Sequence, residues 1–216
     1  MASRDVILAR LRESAPATAP ARPPSVADRE IFTGDVEGGE ALVEQFTLRL
    51  TKLKGEVCRV ANEAEAATKV FELLESSDDG PWLSQRAPLL DEVFQHDSRF
   101  RERVGLDRLG DSSVDLAKYS VGVSVCDCLV SRTGSVVLGS HTAGGRRLSV
   151  LPPLHIVVAR VDQLVLSLDA ALAVLGQSAD WSYATIITGP SRTADIEKIL
   201  VLGAHGPKRL AVVIIG

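Results

Sequence analysis

No apolar run in this 216-residue chain approaches the roughly 18 residues that a membrane span requires. Charges run through residues 1–12, so the start lacks the apolar core of a signal peptide. Cysteine is scarce and odd in number, at three, which suits a reducing cytosol better than a disulfide framework. Basic residues are not in excess either: Lys plus Arg is 24 against 28 Asp plus Glu, a net of −4. Coating nucleic acid is thereby excluded as the main task, because neutralising phosphates needs a basic surface. No internal repeat is visible. These absences lead to the expectation of a soluble cytoplasmic protein with no membrane span and no nucleic-acid partner. What is present is a globular balance, 45% hydrophobic and 24% charged, in a chain long enough for one good core but not for three domains.

Charge is unevenly divided. Residues 1–108 hold 15 basic and 20 acidic side chains, whereas residues 109–216 hold 9 basic and 8 acidic. Between Gly139 and Arg160 stand Arg146, Arg147 and Arg160 with no acid at all, where an anion or a partner surface would find a favourable local potential.

The apolar positions after Ser3 predict a short capped amphipathic helix over residues 3–12. Residues 15–24, rich in Ala and Pro, cannot bury enough surface to fold and read as a linker. The expected organisation is therefore an appendage, residues 1–24, and one α/β domain, residues 25–216. Within the domain, helical spacing covers residues 40–52, 63–74, 87–94, 162–174 and 192–202. Strands are expected at 56–60, 82–83, 119–126, 157–159, 184–188 and 210–215. Residues 128–131 and 135–138 flank Thr133-Gly134 as a hairpin. The last run, uninterruptedly apolar, has the pattern of a parallel strand buried on both faces. Strand–helix alternation of this kind predicts a three-layer α/β/α sandwich around a mostly parallel sheet, with the hairpin as an antiparallel insertion.

Three stretches carry the polar chemistry. Gly189-Pro190-Ser191-Arg192-Thr193-Ala194-Asp195 follows the strand at 184–188, and ligands of open α/β sheets sit beyond the carboxyl ends of strands. If a helix follows, its free N–H groups and Arg192 suit an anion, whereas Asp195 and Glu197 in its first turn oppose one. Gly203-Ala204-His205-Gly206 places a titratable ring in a turn, where it serves as a base or holds the turn. Pro152-Pro153 delivers His155 to a strand among Leu154, Ile156 and Val157, which reads as a core histidine. Cys126-x-Cys128 alternates along an expected strand, so both thiols are expected on one face. With Cys58 remote, the set falls short of the four ligands of an iron–sulfur cluster or a structural zinc, and buried small side chains are the better reading.

Taken together, these motifs resemble the lactate-utilization protein C family, the LUD domain. The residues that carry the resemblance are Thr188-Gly189-Pro190-Ser191-Arg192-Thr193-Ala194-Asp195-Ile196-Glu197, then Gly203-x-His205-Gly206-Pro207. Thr133-Gly134-Ser135, Leu151-Pro152-Pro153-x-His155 and the opening Ser3-Arg4-Asp5 segment are similar to the same family's upstream landmarks. One departure is Arg132, where the family pattern usually has an acid before the Thr-Gly pair. The resemblance implies a fold like the NagB, ribose-5-phosphate isomerase and CoA-transferase group. It also implies a part in oxidising L-lactate to pyruvate beside iron–sulfur partner proteins, with no cofactor in this chain.

Two functions follow as expectations. One is an accessory component of an iron–sulfur lactate-oxidising system. The other is a stand-alone enzyme or sensor for a small anionic metabolite such as an acyl-CoA, sugar phosphate or hydroxy acid. In either case the expected ligand-binding residues are Thr133, Gly134, Arg146, Arg147, Gly189, Ser191, Arg192, Thr193, Asp195 and His205.

Overall fold

The computed structural model describes residues 7, 10, 38–77, 80–106, 118–140, 146–177, 182–194, 200–202 and 206–216. The chain divides into two compact units, Met1–Asp35 and Val36–Gly216. In the first unit Ile7 and Arg10 are described, both helical; the rest of the expected helix over 3–12 and the linker over 15–24 lie outside the described residues.

The second unit begins with helix α1, Gly39–Lys52, whose spacing of Val43, Phe46 and Leu50 buries one stripe. Arg49 and Lys52 occupy its last turn, where cations suit the helix dipole. Strand β1, Glu56–Val60, leads into α2, Glu63–Glu75. The Asn62 side chain caps α2 by accepting from the Glu65 N–H, while Glu65 reaches back to the Ala61 N–H. Then come β2 (Trp82–Ser84), α3 (Pro88–Phe94), α4 (Arg99–Arg103), β3 (Val104–Leu106) and β4 (Val121–Val125). A hairpin follows, β5 (Cys128–Val130) with β6 (Ser135–Gly139), then α5 (Arg147–Val150) and β7 (Leu154–Arg160). The rest of the unit comprises β8 (Leu164–Val165), α6 (Leu168–Leu175), β9 (Ala184–Ile187), β10 (Arg192–Ala194), β11 (Leu200–Leu202) and β12 (Arg209–Ile215).

Six strands form an all-parallel sheet in the order β1-β12-β7-β4-β2-β3. The apolar run at 210–215 is its most enclosed strand, paired on both sides and buried on both faces. One face, through Val123, Ile156 and Val213, packs on α2, α3 and α4. The other, through Val157, Val212 and Ile214, packs on α1 and on a second sheet of order β8-β5-β6-β9. Helix α6 covers the outside of that second sheet with Ala171 and Leu175. The architecture is thus a three-layer α/β fold, as the alternation predicts, with the hairpin inserted as β5–β6. Each fully buried branched side chain in these layers contributes on the order of 1.5–3 kcal/mol. Among the described residues no helix is long and apolar enough to cross a membrane.

Two expected helices are corrected. Over 162–174 the chain makes a 3₁₀ turn, Val161–Gln163, then β8, and only then α6. Leu164 and Val165 pair parallel with Leu129 and Val130, and the Ser167 hydroxyl accepts from the Ala170 N–H, starting the helix six residues late. At 192–194 and 200–202, the described residues of the expected helix over 192–202, the chain is strand: β10 and β11 pair antiparallel, Arg192 with Leu202 through Ala194 with Leu200. Gly189 at φ +92° turns the chain, and the Ser191 N–H donates to the Pro207 carbonyl, so the segment leaves extended. An isolated helix of that length is marginal in water, and the β-branched Thr193 and Val201 favour the extended backbone. The paired thiols are corrected too. Cys126 packs on the α1 side and Cys128 on the α6 side, because the chain bends at Asp127 between β4 and β5. The Asp127 carboxylate fixes that bend by accepting from the Gly139 N–H at 2.5 Å.

Candidate functional site

Two separated turns meet at the carboxyl end of α1. At Gly134, φ +66°, an added Cβ would lie 2.6 Å from the Leu50 nitrogen and 2.8 Å from the Arg49 Cβ. At Gly189, φ +92°, it would lie 3.0 Å from the Leu53 Cβ. Only glycine permits both the positive φ and the close approach, so these two positions bring the β5–β6 turn and the β9–β10 turn onto the same last turn of α1. Hydroxyls join them. Thr133 Oγ1 lies 2.7 Å from Ser135 Oγ, which lies 2.9 Å from Thr188 Oγ1. A backbone bond from Ser191 to Pro207, at 2.9 Å, ties in the segment that precedes β12.

Of the expected ligand-binding residues, Thr133, Gly134, Gly189, Ser191 and Arg192 therefore gather in one place, with the backbone of Thr193 continuing into β10. Arg192 is exposed. Asp195 and His205 lie outside the described residues. Arg146 and Arg147 are not part of this cluster. Arg146 lines a groove of about 610 Å³ with Tyr183, Ala184, Thr185 and Ile186, at the opposite end of β9 from Thr188.

The environment differs from the sequence expectation in one respect that decides the chemistry. Strand β9 belongs to the mixed sheet, and the turn after it contacts Leu53 and Pro207, beside the amino ends of β1 and β12. The rule placing ligands beyond the carboxyl ends of parallel strands therefore does not apply to this turn. Among the described residues, β10 stands where the first turn of the expected helix would be, so side chains and turn amides rather than helical N–H groups face an anion there.

At the carboxyl ends of the parallel strands, ion pairs occupy the edge instead. Arg160 of β7 bonds Glu63 at 2.8 Å and Glu92 at 2.7 Å, joining α2 and α3.

Sequence reasoning left two polar groups outside the candidate set. Ser135 and Thr188 form the middle and end of the hydroxyl chain; their spacing from the two glycines was the available signal. Ser124 pairs with His155, Oγ to Nε2 at 2.9 Å, both fully buried. Its position two residues after Gly122 on β4 puts small and polar residues on one face, a pattern readable from the sequence. Burial pushes the His155 imidazole down to about 4, so it is neutral at pH 7. Burial likewise pushes the Cys128 thiol up to about 11 and the Cys126 thiol higher than usual. Neither thiol is a ready nucleophile.

Residues 43–215 match the LUD domain family, and the chain belongs to that family. It is similar to the lactate utilization protein C of Deinococcus radiodurans, 36% identical over 119 residues, 52% of this chain and 56% of that protein. The lactate utilization protein C of Geobacillus kaustophilus is 34% identical over 113 residues, 50% of this chain and 47% of that one. The chain thus spans about half the length of these curated relatives. With the lactate utilization protein C of Bacillus pumilus the match is longer, 28% over 193 residues, 82% of this chain and 79% of that one. A crystal structure of a DUF162 family protein from Deinococcus radiodurans shares the fold, at TM-score 0.62 and 21% identity, covering 83% of this chain and 99% of that one.

Proposed function

We propose that this chain acts in lactate utilization, as an accessory component of an assembly that oxidises L-lactate to pyruvate. Its match to the LUD domain over residues 43–215, with relatives named lactate utilization protein C, carries this reading. The iron–sulfur clusters belong in this scheme to partner proteins. The placement of the cysteines supports that division of labour: Cys126 and Cys128 lie on opposite sides of the mixed sheet and Cys58 is in β1, so they do not converge on one cluster.

The test is genetic and biochemical together. A deletion strain complemented with the intact chain should regain growth on L-lactate as sole carbon source. The tagged chain, captured from anaerobic lysate, should co-purify brown iron–sulfur proteins and lose them when residues 1–24 are removed. Unimpaired growth of the deletion strain on L-lactate sinks the reading.

The hydroxyl chain beside the exposed Arg192 favours a second reading, in which the same turns hold a small carboxylate or phosphate metabolite. That reading requires a rise in melting temperature with the bound anion that Arg192→Ala removes.

A further inference from the structure

Residues 45–55, 128–140 and 182–194 carry no acid. The fold brings the end of the first stretch, the Gly134 turn of the second and the Gly189 turn of the third to one place. The first contributes Arg49, Lys52 and Lys54, all exposed, from the end of α1. The second contributes Arg132 beside Gly134, and the third Arg192, whose Nη2 lies 3.7 Å from where a Cβ of Gly189 would stand. The last acid on α1 is Glu44, five residues before Arg49, and Glu56 beyond Gly55 is bound to Arg209. On α1 Leu48 is exposed, 54% accessible, one residue from Arg49, four before Lys52 and four after Glu44.

We infer that this face is a docking surface for an acidic protein, with carboxylates meeting Arg49, Lys52, Lys54 and Arg192 and an apolar side chain covering Leu48. Part of the charge at the end of α1 also answers the helix dipole, but the dipole explains neither Arg192 nor the absence of acids from two strand turns. A protein fits better than a polynucleotide. The chain is acidic as a whole, and an exposed leucine on the same helix as Arg49 and Lys52 offers an apolar contact beside charged ones, as protein interfaces do. Complementary charge across such a face sets encounter rate and partner choice. The inference stands whether or not the partner belongs to lactate chemistry.

The test uses the full chain and two carboxylate polymers, poly-L-glutamate and poly(Glu,Tyr), the second adding an apolar group. Binding is followed by fluorescence anisotropy at about 50 mM and about 300 mM NaCl. Both polymers should bind at low salt and weaken at high salt, with poly(Glu,Tyr) the tighter. Lys52→Glu with Arg192→Glu, exposed positions on two different turns, should weaken binding at least about tenfold. Leu48→Ala should remove the preference for poly(Glu,Tyr) while leaving poly-L-glutamate binding unchanged. The control pair Arg86→Glu with Lys118→Glu carries the same change in net charge on other exposed positions and should bind as wild type. Equal weakening by the control pair, or no binding at low salt, overturns the inference. So does a duplex DNA that displaces poly(Glu,Tyr), which assigns the face to nucleic acid.

Discussion

The His155 imidazole and the Ser124 hydroxyl face each other at 2.9 Å inside the sheet, while the other ring nitrogen of His155 meets no hydrogen-bond partner among the described residues. The pair sits where β7 and β4 run side by side, and burial alone holds the ring neutral. Protonating it means placing a charge in the core with only a serine to receive it.

This gives a pH dependence with a definite sign. The folded ring titrates at about 4 and the unfolded ring near the ordinary 6.5, so between those values the unfolded chain binds the extra proton. Stability is therefore full above about pH 6.5 and declines as pH falls toward 4, by up to about 3 kcal/mol from this group. Urea midpoints measured from pH 7 to 4 should show the decline, and His155→Phe should flatten it. An unchanged slope in that variant would assign the acid sensitivity to the carboxylates.

Gly134→Ala should destabilise the domain by about 2 kcal/mol or more, because the new Cβ meets helix backbone and the residue is held at positive φ. Gly39→Ala is the control: the nearest atom to its Cβ is a Val161 methyl at 3.7 Å, and the change should be neutral or stabilising by about 0.5 kcal/mol. Thermal melts of the two variants should move in different directions or by clearly unequal amounts.

Ser135 is buried and serves two neighbours at once. Ser135→Ala should cost about 1–2 kcal/mol by leaving Thr133 and Thr188 each short of a partner. A double-mutant cycle with Thr188→Val should give a coupling of at least about 0.5 kcal/mol in urea denaturation. Additive losses would mean that the two turns are held by packing on α1 alone.

Thiol labelling should rank the cysteines by access. Cys126 and Cys128 are almost wholly buried with raised thiol values, whereas Cys58 is half-buried. Ellman's reagent at pH 8 should therefore modify Cys58 first and the other two at the rate of unfolding. Fast labelling of all three in the native protein contradicts this burial.

The sequence by itself determined the elements whose burial follows from their own spacing. The 210–215 run, the helix over 40–52 with Phe46 and Leu50 buried, and the hairpin around Thr133-Gly134 all form as their patterns require, because period, length and turn chemistry are local properties. That Gly134 and Gly189 stand in tight turns was also legible, from turn chemistry. What α1 does to them was not. Only tertiary structure decided that both glycines lean on one helix end, because that contact joins residues some 80 to 140 positions apart along the chain. It likewise decided that 192–194 and 200–202 pair as antiparallel strands, where spacing suited a helix and a backbone bond to Pro207 favoured extension. Arg146 and Arg147 were grouped with the site by charge, and charge carries no direction until the chain is folded. Side-chain period is written in sequence; which turns share a neighbour is settled only when the layers pack.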